Sequence, residues 1–111
     1  MKNKPVIYLR ATNVQPEFEK KWNEWIDDVH IPLLMKFKGL KKATRYTRVG
    51  DNDEYGEYLT IFEFADLESY EAYLKSPELA AASEERKSSW PTSGTTTKWQ
   101  VRYEFLKTWE K

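Results

Sequence analysis

His30 is the single histidine of the chain and the first candidate for chemistry. Its reference pKa near 6.5 lets an imidazole accept and return a proton at neutral pH. Asp27 precedes it by three residues, so on a helix the carboxylate and the ring are neighbours, and such a carboxylate orients a ring and favours its protonated form. A histidine near a helix end is equally explained as a cap of the last carbonyls, at the negative end of the helix dipole. The residues alone leave both interpretations open.

Arg45 and Tyr46 form a second candidate pair. They are adjacent on a predicted strand, so their side chains point to opposite faces and only one of them enters a given cavity. An arginine there holds a carboxylate or enolate oxygen, whereas a tyrosine donates a hydrogen bond. For Arg45 we favour a structural explanation, a cross-strand salt bridge with Glu63 or Glu104, and for Tyr46 both explanations stay open.

Aromatic residues are unusually frequent, with five Trp, seven Tyr and five Phe. The pair Trp22 and Trp25 is predicted to belong to the core, because both lie on the apolar stripe of one helix. The other candidates for contact with a ligand lie on the first and third predicted strands: Tyr8, Arg10, Phe62 and Phe64.

Length and composition limit the classes of protein. A chain of 111 residues predicts one domain, residues 1–111, and 40% hydrophobic with 32% charged residues is an ordinary globular composition. The net charge of zero argues against a nucleic-acid or anionic-membrane partner. There is no cysteine, and one histidine with scattered carboxylates does not make a transition-metal site, so we expect neither a metal nor a cofactor. No signal peptide or membrane span is recognisable, which predicts a cytoplasmic protein.

The pattern of apolar residues predicts four strands and two helical regions. Pro16 suits the first position of a helix over residues 15–31, which should end or kink at Pro32. The alternative is a further helical turn over residues 33–39, with Gly39 as its stop. Asp66 is predicted to cap the second helical region, which restarts at Ser76 with Pro77 in the first position. The strands are predicted over residues 6–14, 40–49, 58–64 and 98–109.

The order strand, helix, strand, strand, helix, strand predicts an α+β, ferredoxin-like fold with a four-stranded antiparallel sheet and two helices on one face. The third predicted strand is apolar on both faces, so the face without helices needs a cover. We expect a homodimer in which the same sheet of a second copy covers that face. This expectation is based on the aromatic residues of the third strand.

The segments "NEWIDDVHIPLL", "KGLKKATRY" and "YLTIFEFADLESYEAYLKSPELAAA" resemble the dimeric α+β barrel superfamily, and within it the EthD-like branch of small uncharacterised proteins. Two positions depart from the family pattern: Val29 stands where an acidic residue often precedes the histidine, and Lys38 replaces the proline of a turn. The matching positions are Trp25, His30, Pro32, Gly39, Arg45, Tyr46, Tyr58 and Leu59.

The resemblance implies a cavity between sheet and helices that takes small, often aromatic molecules. Members of the superfamily include cofactor-free monooxygenases, lactone isomerases, polyketide cyclases, haem-degrading enzymes and proteins without known activity. Their shared chemistry is the removal of a proton from an acidic carbon or hydroxyl. The resemblance implies a dimeric barrel protein that binds a small apolar or aromatic molecule. The activity that it implies is that of a cofactor-independent isomerase, cyclase or monooxygenase, with His30 as acid and base.

Two other classes compete with this function. One is a non-catalytic ligand-binding or structural dimer module. The other is an RNA-binding module, which has the same strand order and displays aromatic residues on strands one and three. The segment "GEYLTIFEF" lacks the basic-glycine-aromatic core of such modules, so we discount RNA binding.

Overall fold

The computed structural model describes residues 4–51, 53–90 and 94–111. Among these residues, four antiparallel strands form one sheet in the order β2-β3-β1-β4. This order confirms the ferredoxin-like α+β fold, in which β1 and β3 are central and β2 and β4 form the edges. The strands are β1 (Val6–Val14), β2 (Leu40–Thr47), β3 (Tyr58–Phe64) and β4 (Thr95–Glu104).

The helical segments cover one face of this sheet. The first runs through a 3₁₀ turn (Pro16–Phe18), α1 (Glu19–Trp25), a π-helical turn (Ile26–His30) and α2 (Ile31–Leu34). The second consists of α3 (Leu67–Tyr73) and α4 (Pro77–Ser89). A short 3₁₀ turn (Asp53–Tyr55) precedes β3.

Both predicted caps of the second helical region are confirmed. The Asp66 carboxylate accepts a hydrogen bond of 2.8 Å from the backbone N–H of Ser69, and the Ser76 hydroxyl accepts one of 3.1 Å from the N–H of Leu79. Each cap satisfies an N–H that has no partner within the first turn of its helix.

The first helix does not end at Pro32, and the alternative of a further turn after it is what the structure has. Ile31 keeps helical dihedrals, with φ −64° and ψ −42°, and α2 continues to Leu34. The turn before Pro32 widens instead, so that the N–H of Ile31 bonds to the carbonyl of Ile26, five residues back. Proline lacks an N–H, and its ring crowds the carbonyl four residues earlier, that of Asp28. We attribute the wide turn to the release of this crowding.

The strand ends also differ from the prediction. β2 stops at Thr47 rather than at residue 49. β4 begins at Thr95, opposite Val14, and ends at Glu104, opposite Val6. Because β1 begins at Val6, it offers no ladder partner for the segment 106–109, although that segment has strand-like residues.

The core lies between the sheet and the helical layer. Phe64 is fully buried at 0% exposure, among Val6, Leu34, Tyr70 and Tyr73. The aromatic side chains of β3 therefore face the helices. The dimer was predicted from the aromatic side chains of the third strand. That basis is corrected here, because the face that the helices leave open is mainly aliphatic.

The open face carries a continuous apolar row across the central strands. Leu9 lies opposite Ile61 on one side and opposite Val101 on the other. Leu9 and Ile61 are only partly buried, and Val101 is exposed. Neighbouring rows on this face bear Tyr46 and Tyr103, which are 55% and 59% exposed.

Candidate functional site

A cavity of about 460 Å³ lies between the sheet and the helical layer. This volume falls within the range of small-molecule sites. The sheet contributes Tyr8, Arg10 and Phe62, which share one face because they alternate along β1 and β3. The helical side contributes Trp25 and His30 among others.

The π-helical turn places His30 at the cavity. Single π turns inside helices are frequent at functional sites, because the wide turn re-aims the side chains that follow it. The His30 ring is half-buried and stacks on the Trp25 ring, with 4.7 Å between centroids and 26° between planes. Its Nδ1 is buried and has no hydrogen-bond partner among the described residues. His30 therefore lies at the wall of the cavity.

The surroundings of His30 keep the imidazole neutral. Burial is the largest cause, and the positive charges of Arg86 and Arg10 add to it, while Glu85 opposes them. Together they lower the pKa of His30 from 6.5 to about 4. A ring that carries no proton at neutral pH is able to accept one.

Asp27 does not pair with His30. Its carboxylate accepts a hydrogen bond of 2.7 Å from Nη1 of Arg45, and the side-chain oxygen of Asn23 accepts one of 2.6 Å from Nη2 of the same guanidinium. Asp27 thus serves to link α1 and the π turn to the edge strand β2, and its expected role of orienting the ring is not supported by this geometry.

Arg45 faces the helices but does not line the cavity. Besides its bonds to Asp27 and Asn23, the guanidinium lies over the rings of Trp22 and Tyr58, at 5.2 and 5.4 Å from their centroids. Arg45 therefore forms a salt bridge, as the structural explanation expected, but not a cross-strand one. Its carboxylate partner is Asp27 of the helical segment rather than Glu63 or Glu104. The partner differs because Arg45 points to the helical layer, whereas Glu63 points to the open face.

Two further expected ligand contacts lie elsewhere. Tyr46 projects from the open face of the sheet, opposite to Arg45, and is 55% exposed. Phe64 is on the correct face but is buried in the core beyond the end of the cavity. Of the predicted binding residues, the structure brings Tyr8, Arg10 and Phe62 together with His30.

Both tryptophans of the predicted pair belong to the core and also line the cavity. Trp22 is buried at 7% exposure, and Trp25 is partly buried and packs against the same cluster. Its indole N–H donates a hydrogen bond of 2.9 Å to Oε1 of Glu85 on α4, which fixes the ring beneath His30.

The prediction also missed Arg86 and Arg102, which line the cavity from α4 and β4. A signal for Arg86 was available, because Leu79, Ser83 and Arg86 are spaced by four and three residues and therefore share one face of a helix. No comparable signal existed for Arg102, because its position depends on how β4 pairs with β1.

Aromatic rings and hydroxyls form the middle of the cavity wall. Tyr8 stacks on Phe62 with 5.8 Å between centroids, and it lies 6.0 Å from Tyr70. The Tyr8 hydroxyl donates to Oε1 of Gln100 on β4. Burial, the largest cause, raises the pKa of Tyr73 above its ordinary value, so that its phenol stays protonated. Such a wall suits a flat aromatic molecule.

In the described part of the chain, no three His, Asp or Glu side chains come close enough together to hold a metal ion.

None of the helices described above has the length and apolar character that crossing a membrane requires.

Comparison with known proteins places the chain in a family. A family model described as "Domain of unknown function (DUF4286)" matches residues 5–105, which is nearly the whole chain. No curated protein matches the chain at a significant level.

Solved structures share the fold at low sequence identity. An EthD family protein of Bacillus halodurans C-125 is 18% identical, with a TM-score of 0.67 over 93% of this chain and 99% of that one. A dimeric ferredoxin-like protein of unknown function from Thermobifida fusca YX is 11% identical, with a TM-score of 0.66 over 95% and 94%. SnoaB from Streptomyces nogalater, described as a cofactor-independent oxygenase, is 14% identical, with a TM-score of 0.61 over 97% and 99%. The chain thus shares the ferredoxin-like α+β fold of these proteins.

Proposed function

The chain belongs to the family described as "Domain of unknown function (DUF4286)", and we propose that it binds a small aromatic molecule and removes a proton from it, with His30 as the base. The observation that carries this proposal is the neutral, half-buried imidazole at the wall of an aromatic cavity. The reaction class is a cofactor-independent isomerisation, cyclisation or oxygenation. A fold shared with SnoaB, itself described as a cofactor-independent oxygenase, supports this class.

The geometry supports a base in three ways. The ring is unprotonated at neutral pH, because burial and two arginine charges disfavour the imidazolium. Stacking on Trp25 restrains the ring. The buried Nδ1 lacks a hydrogen-bond partner among the described residues. A hydrogen bond from a ligand group or a water molecule to this atom would therefore be favourable.

The proton transfer needs an acidic C–H or O–H beside the ring. The imidazole takes the proton, and the electron pair stays on the substrate as an enolate or phenolate. Return of the proton to another atom completes an isomerisation. In an oxygenation, molecular oxygen instead takes one electron from the enolate, and the resulting superoxide combines with the substrate radical. This forms a C–O bond, and the peroxide anion takes the proton from the imidazolium.

We also propose that the protein is a homodimer through the open faces of two sheets. Leu9, Ile61 and Val101 form the apolar row on that face, and a monomer would leave this row in water. A second copy offers the same row, which makes the contact self-complementary about a twofold axis. The Thermobifida fusca protein of the same fold is described as dimeric.

Solvent-deuterium exchange tests the proton transfer directly. 2-Tetralone and phenylpyruvate both carry an acidic C–H next to an aromatic ring, and NMR in D₂O follows the exchange of that proton. We expect the protein to accelerate exchange of at least one of them and His30→Gln to lower the acceleration by roughly a hundredfold or more.

An equal acceleration by His30→Gln would remove His30 from the chemistry. Binding of these compounds without any acceleration would favour the alternative, a non-catalytic ligand-binding dimer. The same compounds and the same NMR samples thus separate the enzyme from the binding module.

A further inference from the structure

The cavity has a one-sided charge. Three arginines line it, namely Arg10, Arg86 and Arg102, and no Asp or Glu does so among the described residues. The chain as a whole has 18 basic and 18 acidic residues, so this excess is local. A wall with several cations and no anion predicts a negatively charged ligand.

None of these arginines has a carboxylate partner among the residues that the structure describes. Arg10 donates from Nη2 to the hydroxyl of Thr97 over 2.8 Å. Arg102 lies over the Tyr70 ring at 5.4 Å from its centroid. The Arg86 guanidinium has neither an ion pair nor a hydrogen bond there, although its charge acts on His30.

Two cations outside the cavity do have carboxylate partners. Arg45 binds Asp27 over 2.7 Å, and Lys87, next to Arg86 on α4, binds Glu84 over 3.5 Å. What distinguishes the cavity is that three guanidinium groups line it together and no carboxylate does so among the described residues. An anion that binds between these guanidinium groups gains charge-assisted hydrogen bonds from more than one of them.

We infer that the ligand is an aromatic carboxylate, whose carboxylate lies where Arg10, Arg86 and His30 meet and whose rings pack among Tyr8, Phe62 and Trp25. This inference rests on the proposed function and names the substrate class for the same site. Arginine suits the carboxylate, because its planar fork of N–H donors matches two oxygens. The cavity of about 460 Å³ is large enough for a substrate of two or three rings.

A charge on the ligand has a consequence for His30. The two arginines that the carboxylate neutralises, Arg10 and Arg86, are those whose charges disfavour the imidazolium, and Glu85 on α4 already favours it. Binding of an anion therefore raises the pKa of His30 and makes the ring a stronger base when the substrate is present.

The test uses two probes of almost identical shape, 2-naphthoate and 2-naphthamide, which differ in charge. NMR titration follows the ring protons of His30, which are unambiguous because the chain has one histidine. We expect 2-naphthoate to bind roughly tenfold or more tightly than 2-naphthamide, in line with charge-assisted hydrogen bonds. We expect 2-naphthoate, and not 2-naphthamide, to raise the pKa of His30.

Two neighbouring residues on α4 provide the variant and its control. Arg86→Gln removes a cavity charge, and Lys87→Gln removes a charge from outside the cavity wall. Arg86→Gln should weaken 2-naphthoate binding roughly tenfold and leave 2-naphthamide binding unchanged. Lys87→Gln should change neither. Both side chains are exposed, so both variants should fold.

The outcomes separate this inference from the proposed function. Equal affinity for the two probes, or equal effects of Arg86→Gln and Lys87→Gln, would overturn the aromatic carboxylate. Proton exchange from neutral 2-tetralone would then still support His30 as a base. If neither probe shifts the His30 ring, the inference fails, and if 2-tetralone and phenylpyruvate also fail to bind or exchange, the proposed function fails with it.

Discussion

Replacement of His30 by glutamine should make the protein more resistant to acid. The surroundings lower the pKa of His30 from 6.5 to about 4 in the folded state. Between these values the unfolded chain binds a proton at this ring that the folded chain does not bind. The free energy of unfolding therefore falls as pH decreases through this window, and the loss is complete below the folded pKa.

The size of the effect follows from the shift. One unit of pKa corresponds to about 1.4 kcal/mol, so the whole shift is worth about 3 kcal/mol. Since the folded ring begins to protonate near its own pKa, the loss between about pH 7 and about pH 4.5 should be about 2 kcal/mol. Glutamine has no titrating group, so the free energy of unfolding of His30→Gln should not show this decrease.

Urea unfolding at the two pH values measures the difference. Carboxyl groups also change protonation as the pH falls, but they are present in both proteins and cancel in the comparison. Arg86→Gln should lie between wild type and His30→Gln, because Arg86 is one cause of the lowered pKa. Lys87→Gln should behave as wild type. An equal loss of stability in wild type and His30→Gln would refute the description of His30 as a buried neutral ring.

Three further outcomes test the fold. Phe64→Ala should lower the free energy of unfolding, measured with urea, by about 3–5 kcal/mol, because Phe64 is fully buried. Val49 is 98% exposed, so the control Val49→Ala should change this free energy by less than about 0.5 kcal/mol. Asp66→Ala should cost about 1 kcal/mol in the same measurement, since one N–H of α3 loses its cap; no change would mean that the cap is dispensable. Light scattering should give the mass of two chains for the wild type and for Val49→Lys, and the mass of one chain for Ile61→Lys. A monomeric wild type would contradict the sheet-to-sheet dimer.

The element order and the helix caps were readable from the sequence. Alternating and helical periodicities depend on local spacing, and caps such as Asp66 and Ser76 act within one turn of their own helix. For this reason the strands β1 and β3 were predicted with the bounds that the structure has. The end of β4 was not predicted correctly, because a strand ends where its partner strand ends. The partner, β1, is 81 residues away in the sequence even at the nearest pair, Val14 and Thr95.

Pro32 shows how a local rule fails when the chain has another solution. The rule that proline ends a helix assumes an ordinary α-helical turn before it. Here a π turn over Ile26–His30 removes the conflict and lets the helix continue. That same turn carries His30, so the place of this ring at the cavity depends on a feature that the proline rule does not predict.

The partners of the site residues were decided by tertiary structure alone. Sequence spacing put Asp27 beside His30, yet Asp27 binds Arg45 and His30 stacks on Trp25. The residues that set the charge of the cavity, such as Arg10 and Arg86, are 76 positions apart and meet only because β1 and α4 lie on opposite sides of it. Composition determined that the whole chain is neutral. Only packing determined that its arginines line a cavity without a carboxylate, because the position of a charge depends on long-range contacts that spacing does not encode.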